Sequence, residues 1–392
     1  MKRNLLLLLL CAAVIILSKS YVLSNNEHQA LHLSDNYYDY LQPNFSDYLI
    51  LTQRWLAKNR SFISSNHAQE LEMNMPFEAG DPNSEKAILL VHGLGDSPYS
   101  FSDLTSTFVK QGFYVQAILL PGHGSKPEHM KLTTYNDWQV IVDYYVSLLK
   151  KEHTQVWLGG FSTGANLISI NALNYGGIEG LVLISPGFKT MNPGAEKIGT
   201  VISIFWDGII EHEDNYAKYN SMSLHGMTQY SESARIFRST IDQKKVTVPT
   251  LIVVSEADSV IDPYITAEMF NAKFTNPQSK LIWYGDEQHL TVTERVQSYP
   301  MNLAEYKIST GSHLSPLFSP VNRYYGANGT HLVCLNSLDT TQTERCYEGD
   351  NVWFSAWGYK EQGKTYARLT WNPYFARLEN EISNIVLTDD RH

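Results

Sequence analysis

Cysteine is scarce in this chain and basic residues are outnumbered, while its first apolar run is too short to span a bilayer comfortably. Each shortage narrows the function. Three cysteines in 392 residues, with no C-x-x-C and no histidine-rich spacing, exclude a disulfide-dense scaffold and point away from a zinc site. Lys and Arg number 30 against 40 Asp and Glu, a formal net charge of -10. Three of those basic residues, Lys2, Arg3 and Lys19, belong to the leader, so the remainder is more acidic still. A balance of that sign disfavours nucleic acid and anionic lipid surfaces as partners. Internal repeats are lacking as well, and so is low-complexity sequence beyond the leader.

What is present is enough to build a large core, since 43% of the residues are hydrophobic and 12% aromatic. Residues 1–24, "MKRNLLLLLLCAAVIILSKSYVLS", join two cations to an apolar run from Leu5 to Leu17, the form of an export signal. The run falls short of the ~20 residues of a full span, which favours a signal peptide over a membrane anchor. Ser18 and Ser20 offer a small-x-small cleavage pattern with Lys19 between them, so retention as an inner-membrane anchor is the alternative to a periplasmic or secreted protein. The leucines before Cys11 do not suit lipid processing. Beyond the leader only Cys334 and Cys346 remain, and export would let them close a short disulfide loop.

Residues 25–69 read as an N-terminal extension: a polar connector, then an amphipathic helix over 47–63 that docks on the body. Apolar runs at 87–95, 113–120, 156–161, 180–186 and 250–256 alternate with helical patterns near 100–111, 135–150 and 163–174. This alternation predicts an α/β fold, a mainly parallel sheet with helices on both faces. Between Gly187 and Val248 the alternation stops, and the segment reads as a cap inserted over the carboxyl edge of the sheet. A tryptophan-containing C-terminal extension, 336–392, closes with a helix that Pro373 could start.

The chemistry gathers at "VWLGGFSTGANLISI" (156–170). Ser162 lies where a strand must turn sharply into a helix, and Gly160 and Gly164 remove side chains that would clash there. The corner lifts the hydroxyl above the sheet edge, and the Thr163 N–H at the helix start is a natural donor to an oxyanion. Leu94, after His92 and Gly93 in "LLVHGLGDSPYSF", offers a second N–H, with His92 itself bracing the loop. A serine needs a base and a group that orients the base. Asp258 closes the run "TLIVVSEAD" in the expected chain order. Asp262 precedes Pro263 and reads as a helix N-cap, and Glu256 is still within the strand. Two histidines compete as the base: His289, just after the next strand, and His313, after a later strand and a longer interval.

The blocks "AILLVHGLGDSPYSF", "LLPGHG", "LGGFSTGA" and "VVSEADSVIDP" together resemble the α/β-hydrolase superfamily, in particular bacterial carboxylesterases, monoglyceride lipases and serine-aminopeptidase-like hydrolases, from about 70 to 335. The stretch "SHLSPLFSPVNRYYG" resembles an exported branch of that group and favours His313 over His289, with 286–306 as an insertion before the catalytic turn. The resemblance implies a Ser162–Asp258–His313 triad, an acyl-enzyme intermediate, no cofactor and a small-molecule ester substrate, with lipid or lysophospholipid esters as candidates. A serine at 162, where the dehalogenase branch has aspartate, argues against that branch. The apolar cap stretch "VISIFWDGII" (201–210) suggests an acyl pocket or a packed cap helix. Peptide or amide cleavage is the alternative chemistry, and a non-catalytic binding module of the cell envelope is the alternative class.

Overall fold

In the computed structural model, which describes residues 37–191, 208–209, 211–288, 290–291 and 293–387, each of the five apolar runs between 87 and 256 becomes a strand of one sheet, and 280–284 adds a sixth. In chain order these are β2 (Lys86–Val91), β3 (Tyr114–Ile118), β4 (Gln155–Phe161), β5 (Gly180–Ile184), β8 (Thr250–Ser255) and β9 (Lys280–Tyr284). Two edge strands complete it: β1 (Phe77–Ala79), antiparallel to β3, and β10 (Val296–Tyr299), parallel to β9. The order is β1-β3-β2-β4-β5-β8-β9-β10, and every pairing except β1 with β3 is parallel.

Successive residues of a strand face opposite sides, and both sides of this sheet are covered. On one face Ala87, Leu89 and Val91 of β2 and Leu181 and Leu183 of β5 pack with α1 (Phe45–Asn59), α4 (Tyr135–Glu152), α5 (Thr163–Tyr175) and α6 (Leu224–Gln243). Ile88, Leu90, Val182 and Ile184 meet α3 (Ser102–Lys110) and the last helix, α9 (Phe375–Leu387), on the other. The remaining helices are α2 (His67–Asn74), α7 (Pro263–Lys273) and α8 (Thr340–Tyr347). Local signals set the ends of several. Thr134 and Asp137 form a capping box at the start of α4, and Asp262 caps α7 by accepting from Ile265 N at 3.1 Å, with Pro263 in the first turn as expected.

The cap segment departs from a simple insertion. A two-residue pairing of β6 (Gly208–Ile209) with β7 (Met222–Ser223) precedes α6, whose Phe237 and Ile241 join the sheet core, with Phe237 stacked 4.0 Å from Phe188. Its second half therefore covers the sheet. Residues 192–207 and 210, with most of "VISIFWDGII", lie outside the described residues, as do the leader and His289.

The C-terminal segment is likewise part of the body, because Tyr38–His392 forms one compact unit. Helix α9 buries Leu378, Ile382, Ile385 and Val386 and is tied to α3 through Thr107–Glu379 at 2.9 Å and Gln111–Ser383 at 3.0 Å. Lys280 and Glu381 form an ion pair at 2.6 Å. Cys334 and Cys346 are disulfide-bonded, next to a small parallel pair, β11 (Val352–Ser355) and β12 (Thr365–Arg368). The strand expected just before His313 is displaced: residues 304–306 form a turn of 3-10 helix, and Ile308 makes only isolated bridges to Leu303 and Phe354. The edge strands β1 and β10 contain no fully buried residue, so the apolar run that marks an inner strand is missing from them.

If α9 completes the sheet cover, Ile382→Ala should destabilise the protein by about 2–4 kcal/mol, the usual cost of an unfilled buried site. Urea unfolding would measure it, and a change under ~0.5 kcal/mol would mean that the helix is peripheral.

Candidate active site

The corner between β4 and α5 is the most constrained point of the chain. Ser162 has φ 52° and ψ -115°, a backbone state that a residue with a side chain rarely adopts and that costs on the order of 1–3 kcal/mol. Its surroundings enforce that state. A Cβ at Gly164 would run into the Val91 carbonyl, and one at Gly160 would meet Ala165 N at 2.6 Å, so α5 can lie against β2 and β4 only because both positions are bare. The backbone of Ser162 is held from two sides, its N–H donating to Ile184 O at 3.0 Å and its carbonyl accepting from Gly187 N at 3.1 Å.

Asp258 sits in the turn after β8. Its Oδ1 accepts from Val260 N at 2.8 Å and Ile261 N at 3.0 Å, which orients Oδ2 toward His313 Nδ1 at 2.6 Å. Nδ1 is therefore the protonated ring nitrogen, and Nε2 is left for the pocket that His313 lines together with Ser162. The histidine turn is held from elsewhere in the chain: Ser185 Oγ donates to His313 O at 2.9 Å, and Ser312 Oγ donates to Leu369 O in the C-terminal segment. The neighbouring acids are otherwise engaged. Glu256 accepts from Tyr264 Oη at 2.8 Å and from Asp286 N at 2.7 Å, and Asp262 is the cap of α7.

Leu94 and Thr163 line the same pocket, and among the described residues neither backbone N–H has an acceptor. Thr163 opens α5, where unpaired N–H groups and the helix dipole favour negative charge. His92 plays the bracing part expected of it. Fully buried, it donates from Nδ1 to Gly93 O at 2.8 Å and accepts Leu120 N at Nε2 at 3.0 Å, pinning the Leu94 loop to the end of β3. Burial, with His123 alongside, holds it well below the usual histidine pKa, and burial lowers His123 to about 4.

The pocket measures about 110 Å³. It also receives Asp96, Lys218, Tyr230 and Arg368, none of them expected from the motifs. Asp96 stood within a quoted block, whereas Lys218 in "YAKYN" and Arg368 in "TYARLT" carry no local signature. Burial raises the Asp96 pKa. A larger groove of about 810 Å³, lined by Met73, Tyr99, Asp103 and Asn322 among others, contains no histidine and shares no residue with this pocket. Among the described residues no group of three or more His, Cys, Asp or Glu is arranged to hold a metal ion.

Residues 82–240 match the family model described as serine aminopeptidase, S33. Over that stretch the chain is similar to the α/β-hydrolase superfamily. The chain is 26% identical over 193 residues to a thermostable monoacylglycerol lipase of Bacillus sp. (strain H-257), covering 48% of this chain and 76% of that protein. It is 21% identical over 235 residues to a carboxylesterase of Bacillus subtilis (strain 168), covering 56% and 89%. Among solved structures, a monoacylglycerol lipase from Paleococcus ferrophilus overlaps 53% of this chain and 87% of its own, at 18% identity and a TM-score of 0.45.

The depressed His123 makes a stability prediction for the protein. Between the ordinary value of 6.5 and about 4, the unfolded chain binds a proton there that the folded chain does not, so stability is complete above 6.5 and falls as the pH drops through that window. Urea unfolding at pH 7 and pH 4.5 should show this loss, and His123→Gln should shrink it by roughly 2 kcal/mol. An unchanged difference between the two pH values would mean that His123 titrates normally in the fold.

Proposed function

We propose that this chain is an exported serine hydrolase that cleaves carboxylic esters through an acyl-enzyme intermediate, with Ser162 as nucleophile, His313 as base and Asp258 as its orienting acid. One observation carries the reading: Ser162, in its left-handed corner, shares a pocket with His313, whose Nδ1 is bonded to Asp258 at 2.6 Å. In the first step His313 Nε2 takes the Ser162 proton as Oγ adds to the ester carbonyl, and the Leu94 and Thr163 N–H groups stabilise the oxyanion. Collapse of that adduct breaks the bond to the alcohol, which leaves with the proton from His313. Water then adds to the acyl-serine through the same base, releasing the acid and restoring the hydroxyl.

The names of the two Bacillus relatives, a lipase and an esterase, support an ester substrate with a lipid ester as one form of it. The family model's name favours a second reading, cleavage of an N-terminal peptide or amide bond. Turnover of p-nitrophenyl esters of rising chain length should exceed that of aminoacyl anilides. Faster anilide cleavage would move the assignment to the second reading. Ser162→Ala should abolish both turnover and labelling by a fluorophosphonate, and His313→Ala should lower kcat by about 10³-fold or more. A wild-type protein that takes no label and turns over neither substrate would instead be the binding module.

Export is supported by the leader sequence and by the Cys334–Cys346 bond, which an oxidising compartment sustains. An association with the membrane through residues 1–24 is the accompanying proposal. Fractionated cells should hold the protein in the envelope or medium, with both cysteines protected from alkylation. Recovery in the cytosol with free thiols would refute export.

A further inference from the structure

Two cations that the ester chemistry does not use face the pocket beside Ser162. Lys218 comes from the cap segment, between the buried Ala217 and Tyr219. Its backbone is anchored close by, Tyr219 N donating to Gly95 O at 2.8 Å and Tyr216 N to Tyr324 Oη at 2.8 Å. Arg368 ends β12 and is braced by the disulfide loop: its backbone N–H donates to Val333 O at 2.9 Å, Nε to Asn336 Oδ1 at 3.3 Å and Nη2 to Leu335 O at 3.0 Å. Those acceptors are uncharged and leave part of the guanidinium fork without a partner.

Among the described residues neither cation forms an ion pair, and Lys218 forms no hydrogen bond. Asp96 draws on Lys218 and Asp258 on Arg368, but neither carboxylate forms an ion pair or a hydrogen bond with its cation. Asp258 is engaged by His313, and Glu213, which draws on Lys218, accepts from Asn220 N at 2.9 Å and Ser221 N at 2.8 Å. Asp96 is the remaining acid on the pocket wall; burial, the larger effect, weakens its ionised form, while Lys218 and His313 favour it. Burial also lowers the pKa of Lys218 and brings Arg368 down to about 10, the cost of holding charge in a poorly solvated place. Cations kept at such a cost gain most from an anion that enters with the ligand, through charge-assisted hydrogen bonds and the planar match of guanidinium to carboxylate or phosphate.

We propose that Lys218 and Arg368 form a subsite for an anionic group, carboxylate or phosphate, on the ester whose carbonyl is presented to Ser162. The subsite deepens the hydrolase reading and rests on it for the nature of the substrate. Because the whole chain is acidic, the preference is local to the pocket and is not produced by long-range attraction.

The test compares matched esters: 1-butanoylglycerol 3-phosphate against 1-butanoylglycerol, and monoethyl succinate against ethyl butanoate. For at least one pair kcat/KM should favour the anionic member by about tenfold or more, the scale of a hydrogen bond to a charged group, and the pair that responds identifies phosphate or carboxylate. Lys218→Met and Arg368→Met should each cut that ratio by about tenfold, with Arg368→Lys restoring part of it. Ratios near one in both pairs, or ratios untouched in both methionine variants, would overturn the subsite. Calorimetry on Ser162→Ala with the same four esters provides a readout without turnover. Tighter binding of an anionic ester by that protein, alongside no hydrolysis by the wild type, would keep the subsite and remove the hydrolase reading. Equal binding of anionic and neutral members would remove the subsite.

Discussion

The approach of α5 to β2, closer than any side chain would permit, is the constraint from which the site follows. With Gly164 against the Val91 carbonyl and Gly160 against Ala165, the chain must leave β4 through a left-handed residue. Ser162 is that residue, and the strain at its backbone is borne by hydrogen bonds to β5 and to the loop that follows β5. The sheet supplies the rigidity: β4 is an inner strand, paired on both sides in parallel register, so the corner has nowhere to relax. A hydroxyl raised in this way needs no helix or loop of its own to position it.

Everything else at the site comes from a distance and is held by different means. Asp258 is oriented by two N–H groups of its own turn, whereas the His313 turn is fastened to Ser185 and to Leu369. The C-terminal segment thus serves two ends at once. Helix α9 closes one face of the sheet, and the chain before it carries the guanidinium of Arg368 at the end of β12 and, one residue on, the Leu369 carbonyl that anchors the histidine turn. The disulfide loop and the residue before it support that strand through Val333, Leu335 and Asn336, so the covalent staple lies close to the pocket.

The inner strands and the helices between them were legible because each carries its own pattern: a continuous apolar run, or apolar positions at helical intervals, as in 156–161 followed by 163–174. The strands β1 and β10 were not. They lie at the sheet edges, where one neighbour and partial burial ask for no such run. The cap and tail were placed by where the alternation ended, and that criterion is blind to packing. It could not tell that α6 and α9 belong to the layers over the sheet, because an amphipathic helix reads the same wherever it docks.

Sequence alone determined the corner at Ser162 with its glycines, the apolar strands that frame it, the cap role of Asp262 and the bracing role of His92, because these depend on residues adjacent in the chain or on steric rules that a short stretch expresses. Tertiary structure decided that His313 meets Asp258 and that Lys218 and Arg368 turn toward one small pocket. Those contacts join segments far apart in the chain, and no local period or spacing encodes a distance that only the closing of the sheet and its covering layers creates.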